Sequence, residues 1–176
     1  PEQPDLNWRE PAVEAAQLEM VRGWLARGVD GFRLDVFNSL LKSHAFESNP
    51  VQRAQSRRPW DRQRHLFDKV QPDLETVLHA FRALVEEGAD HMSVGELFEG
   101  TVPLAAALTR PRHLVFDFSL LEAPWSAAAF RQAIEDREAL FGPDRWPTVV
   151  LSNHDRPRQV SRYLDALGRD DAETAD

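Results

Sequence analysis

Gly31-Phe32-Arg33-Leu34-Asp35-Val36-Phe37-Asn38 joins an apolar run to a charged pair in the first quarter of the chain. It reads as a short strand, about Asp30 to Val36, apolar on one face and carrying a charged pair on the other. Arg33 and Asp35 are two apart, so on a strand both point to the same side. A guanidinium beside a carboxylate favours its charged form, and a nucleophilic carboxylate needs that form. A helical pattern precedes the strand and a long polar stretch follows it, which puts Asp35 at the strand's carboxyl end. In parallel α/β enzymes that end is where the chemistry is done. Alone, an Arg-x-Asp pair on a strand is more often a structural ion pair.

Working outward, Asn7-Trp8-Arg9-Glu10-Pro11 reads as a helix entrance, with Asn7 and Glu10 at capping-box spacing and Pro11 in the first turn. Val13, Ala16, Met20, Val21, Trp24 and Leu25 repeat at helical spacing until Gly28. Beyond the key strand, Ser43 to Arg64 is polar, rich in arginine and long enough for a binding segment or lid. Pro72 opens a second helix with Leu74, Val77, Leu78, Phe81, Leu84 and Val85 on one face, ended by Gly88. Met92 to Leu97 is a second strand, Val102 to Leu108 a short helix, and Leu114 to Phe118 a third strand. A helix from Ser126 to Phe141 turns Phe130, Ile134 and Phe141 inward. Thr148 to Leu151 is a fourth strand, uniformly apolar as buried parallel strands are. A last helix starts near Arg158, and residues 170–176 are an acidic tail expected to be frayed. Alternating helices and strands predict a parallel sheet with helical crossovers. No glycine-rich dinucleotide or phosphate loop is present.

With 176 residues the chain is sized for one domain, residues 1–169 before the acidic tail. It opens on Pro1-Glu2-Gln3-Pro4 without a methionine, as a piece of a longer protein would. A net charge of −8 opposes binding to nucleic acid or to an anionic membrane surface, and no run is apolar enough to span a bilayer. No cysteine is present, so disulfides and thiolate metal sites are excluded, in keeping with a reducing, cytoplasmic setting. Trp60, among the arginines of the long loop, and Phe98 are candidate stacking platforms for a ligand, beside a plainer reading as packing.

Three carboxylates, Asp35, Glu96 and Asp155, fall at the ends of the first, second and fourth strands. Parallel strands put their carboxyl ends on one face, so the three are expected to converge. Two carboxylates flanking a bond are the minimum for glycoside hydrolysis, one ionised to attack and one protonated to donate. Arg33 favours ionised Asp35. Glu96 has no cation near it in sequence, and neighbouring anions would raise its pKa.

These segments resemble the α-amylase family of glycoside hydrolases. Gly31-Phe32-Arg33-Leu34-Asp35 is similar to its nucleophile strand, Val94-Gly95-Glu96 to its acid/base strand, and Ser152-Asn153-His154-Asp155 to its transition-state-stabilising segment. Pro4-Asp5-Leu6-Asn7-Trp8, Asp35-Val36-Phe37-Asn38 and Asn153-His154-Asp155-Arg156-Pro157-Arg158 resemble the α-glucosidase and oligo-1,6-glucosidase branch. The resemblance implies Asp35 as nucleophile, Glu96 as acid/base and Asp155 as the third acid, with Arg33, His154, Arg158 and Val36 contacting or framing the sugar. Valine after the nucleophile implies preference for α-1,6 over α-1,4 bonds. No cofactor is implied. The other five histidines show no ligand spacing, so no catalytic metal is expected.

A full (β/α)₈ barrel needs about 250 residues. Four strands therefore imply a partial TIM barrel resembling strands four to seven, without the family's Asp-x-x-x-Asn-His segment, inserted domain or calcium loop. The expected reaction is retaining hydrolysis of α-glucosidic bonds in short oligosaccharides, with glucosyl transfer as one alternative. A non-catalytic half-barrel, serving as a carbohydrate-binding or assembly module, is the other. Open strand edges predict that the isolated chain associates with itself and is inactive.

Overall fold

The computed structural model describes residues 4–52, 55, 57, 59–97 and 102–173. The chain forms two units, residues 1–96 and 97–176.

In the first unit, helix α1 spans Pro11–Leu25 and begins on the proline, whose missing N–H costs nothing in a first turn. The expected capping box does not form. Glu10 is the N-cap without a side-chain cap bond. The Asn7 carbonyl instead accepts from Glu10 N at 3.0 Å and its side chain from Arg9 N at 3.1 Å, which closes a turn ahead of the helix. Strand β1, Gly31–Leu34, pairs in parallel with β2, Met92–Gly95, in the register Phe32↔Ser93 and Arg33↔Val94. Helix α2, Leu74–Glu86, is the crossover between them and buries all six of the apolar residues its spacing marks. Val21, Phe81, Leu84 and Val85 form the core of this unit, with Leu18, Leu25, Phe32 and Leu34 packed against it. Phe32 and Leu34 thus face the helices, and period two sends Arg33 to the opposite face. Burying a side chain such as Val85 contributes about 1.5–3 kcal/mol. Met20 and Trp24, expected on the inner face of α1, are exposed.

β1 ends at Leu34, two residues short of the expected strand. Asp35 and Val36 form a turn, and Val36 takes the left-handed conformation at φ 39° and ψ 42° before a 3-10 turn over Phe37–Ser39. Phe37 explains the bend. Its ring lies over Gly95 so closely that a Cβ there would stand 2.5 Å from the ring.

The polar stretch between Leu41 and α2 is a closed loop, not a loose one. Ser43 N donates to Phe67 O at 2.7 Å, and Val70 N to Asn38 O at 2.8 Å. An isolated bridge pairs Val51 with Gln63. The Asn49 side-chain oxygen accepts from Leu66 N and Phe67 N at 2.9 and 3.0 Å, and Gln71 Nε2 donates to the carbonyls of Leu66 and Lys69.

In the second unit, β3, His113–Asp117, pairs in parallel with β4, Thr148–Val149. Helix α3, Val102–Leu108, packs against β3 and against α5, Ala127–Phe141, whose N-cap Ser126 accepts from Ala129 N at 3.3 Å. The short α4, Ser119–Glu122, supplies buried Leu120 and Leu121. β4 is shorter and more open than its apolar run implies, with Val149 and Leu151 about two-fifths exposed. On α5, Ile134 is exposed, while Arg137 and Phe141 face inward because Arg137 pairs with buried Asp117. Helix α6, Gln159–Glu173, continues into the stretch expected to be a frayed tail; no proline interrupts it. No helix among the described residues is long and apolar enough to cross a membrane.

Candidate active site

Three of the expected site residues come together in the first unit. The parallel register continues one step past the strands, with Glu96 N donating to Leu34 O at 2.8 Å, so Glu96 arrives beside the Asp35 turn. Arg33 joins the two acids. Its Nη1 donates to Asp35 Oδ1 at 2.6 Å, and its Nη2 lies 2.5 Å from Glu96 Oε1. The absence of a cation near Glu96 in sequence is therefore misleading: pairing of β1 with β2 supplies one from 63 positions earlier.

The two carboxylates differ sharply in surroundings. The Asp35 side chain is 73% exposed and that of Glu96 only 3%. Burial is the largest influence on Glu96 and pushes its pKa above the ordinary glutamate value, and its hydrogen-bonding interaction with Asp35 pushes the same way. Arg33 opposes the shift without cancelling it. The raising influence expected from neighbouring anions is thus present but second to desolvation. Arg33 itself is held more firmly protonated, chiefly by its bond to Asp35. One exposed carboxylate and one buried carboxyl of raised pKa on a shared guanidinium can divide attack and proton donation between them.

Asp155 and His154 belong to the second unit, on the loop after β4. His154 Nε2 lies 3.5 Å from Asp155 Oδ2, both side chains are exposed, and Asp155 N donates to Asn153 Oδ1 at 3.2 Å. Arg158 is exposed just before α6. A fourth strand-end acid, Asp117, is buried on Arg137 and accepts from Ser119 N at 2.8 Å, which marks it as structural. Trp60 is half exposed, stacked on His65 at 3.8 Å, with the Lys69 ammonium 4.6 Å from its ring. Phe98 lies outside the described residues.

A cavity of about 390 Å³ in the first unit, lined by Leu18, Val21, Phe32 and Phe81, reaches Arg33 and Asp35 but not Glu96. Apart from Gln17, Arg33 and Asp35 its walls are largely apolar, so it offers a hexose few hydrogen-bond partners. Among the described residues no group of three His, Asp or Glu side chains is placed to hold a metal ion.

The family model described as "Alpha amylase, catalytic domain" matches residues 1–174. The chain is 34% identical to a probable alpha-glucosidase of Rhizobium meliloti over 97% of its own length and 33% of that protein's. It is 30% identical to an oligo-1,6-glucosidase of Parageobacillus thermoglucosidasius over 93% of its length and 31% of the relative's. Among solved structures it superposes on the alpha-glucosyl transfer enzyme XgtA with a TM-score of 0.79 at 35% identity, covering 92% of this chain and 32% of that one. Trehalose-6-phosphate hydrolase of Bacillus licheniformis gives a TM-score of 0.71 at 29% identity, over 92% and 30%. The chain thus spans about a third of the relatives it matches. Its four parallel strands and their helices are a partial TIM barrel.

Proposed function

The chain belongs to the α-amylase family of glycoside hydrolases, and from that premise we propose that it carries the catalytic strands of a retaining α-glucosidase acting on short gluco-oligosaccharides. The observation that carries the proposal is the Arg33 bridge between an exposed Asp35 and a buried Glu96 whose pKa is raised. Asp35 attacks the anomeric carbon while Glu96 gives its proton to the departing glycosidic oxygen. The covalent glucosyl-enzyme is then released when Glu96, now a base, takes a proton from water. Asp155 and His154 bind sugar hydroxyls in this reading. The likeness to an alpha-glucosyl transfer enzyme favours a second outcome of the same intermediate, in which another sugar's hydroxyl replaces water.

The test is Glu96→Gln in the active enzyme that carries this chain. It is expected to lower turnover of isomaltose by about 100-fold or more, the scale of general acid catalysis. Loss should be much smaller at the first step for a dinitrophenyl α-glucoside, whose leaving group needs no proton. Equal losses for both substrates would remove Glu96 from the acid role.

A further inference from the structure

We propose that Arg9 is a positioning residue for Asp35, acting by closing the base of the loop between Leu41 and α2. The inference rests on Asp35 being the nucleophile. Arg9 stands just ahead of α1, its side chain only 14% exposed. Its guanidinium reaches both roots of the loop at once. At the entering root, Nε donates to the Lys42 carbonyl at 2.6 Å and Nη1 lies 2.9 Å from His44 Nε2. At the leaving root, Nη1 and Nη2 engage both carboxylate oxygens of Asp73, the residue before α2. The Asp73 carboxyl is held below its ordinary value, first of all by this bond.

Both roots are in turn bonded to the 3-10 turn that follows Asp35. From the entering root, Lys42 Nζ donates to Ser39 O and also pairs with Asp5 Oδ2 at 2.5 Å. From the leaving root, Val70 N donates to Asn38 O at 2.8 Å. Within the turn, Ser39 N donates to Val36 O at 2.9 Å. The chain of contacts therefore ends on Val36, a β-branched residue in the left-handed region. Such a conformation is strained and persists only where its surroundings over-determine it. Phe37 against Gly95 supplies one constraint, and the two roots gathered by Arg9 supply further ones. If Val36 relaxes toward an extended conformation, the peptide after Asp35 turns and the carboxylate leaves its place on Arg33. A lysine at position 9 offers one ammonium where five donors in a fixed fork are needed to reach three groups.

The experiment uses the active enzyme carrying this chain, an aryl α-glucoside, and a temperature well below unfolding. Arg9→Gln is expected to lower kcat by about tenfold to 100-fold, the scale of an ångström of misplacement, with a smaller change in KM. Arg9→Lys should not rescue it. The decisive comparison is the same substitution in a Val36→Asn background, because asparagine tolerates the left-handed conformation. There the loss caused by Arg9→Gln should shrink several-fold. An unchanged kcat, with only a lowered melting temperature, makes Arg9 a plain stabilising residue and overturns the proposal. An equal loss in both backgrounds also overturns it, because the path then does not run through Val36. Should Arg9→Gln not fold, Asp73→Asn is read in the same two backgrounds with the same criteria. Asp35→Asn in parallel separates the two readings: retained activity there overturns the nucleophile assignment and the positioning role with it, whereas activity lost there but kept in Arg9→Gln overturns the positioning role alone.

Discussion

Glu96 differs from a surface glutamate in carrying a pH signature that stability measurements can read. Its folded pKa lies above the ordinary value, so between the two values the folded chain binds more protons than the unfolded one. Stability from this group is therefore fully present below the ordinary glutamate pKa and is lost as pH rises through the folded value. Glu96→Gln cannot titrate and removes that loss. The melting temperature of the variant minus that of the parent is expected to grow from about pH 4 to about pH 7, the direction set by the raised pKa. A difference that stays flat across that range would mean Glu96 titrates normally. Val36 shows the limit of reading residues singly. The expected strand ran through Val36, yet its left-handed backbone makes it part of a turn. Nothing in an apolar, β-branched residue announces a positive φ.

At the scale of elements, the first three strands and the helices other than the short α4 were legible because apolar spacing dictates them. α2 buries Leu74, Val77, Leu78, Phe81, Leu84 and Val85 as its pattern requires. What escaped were features set by residues far apart in sequence. The closed form of the long loop depends on Asn49 and Gln71 bonding backbone groups up to 18 residues away, and polar composition alone does not distinguish that from a solvated segment. Nothing beside Gly95 in sequence marks the Phe37 ring that lies over it, and the position of Arg9 in a helix entrance does not reveal its bonds to Lys42 and Asp73. The strand-end acids were legible as a set, but only pairing of β1 with β2 shows that Arg33 serves both Asp35 and Glu96. Asp117 sits at a strand end too. Its buried partner, Arg137, lies 20 residues on, at a spacing no motif records.

At the scale of the molecule, several large apolar side chains of the second unit stand exposed. Val160, Leu164 and Leu167 form a stripe at helical spacing on α6, each about half exposed or more, and Trp146 is 78% exposed. Left in water, such faces favour association, and the isolated 176-residue chain is expected to self-associate at micromolar concentration. Light scattering checks this, and a well-folded monomer would contradict it. The proposed function requires Asp35 to form a covalent bond to the anomeric carbon. Mass spectrometry of the active enzyme after reaction with 5-fluoro-α-glucosyl fluoride, which slows release of the glycosyl-enzyme, reads that bond directly. One added fluoroglucosyl group is expected on the peptide containing Asp35, and none on Asp35→Asn. A label on another carboxylate, or an unlabelled enzyme that releases product with inverted anomeric configuration, would contradict the proposed function.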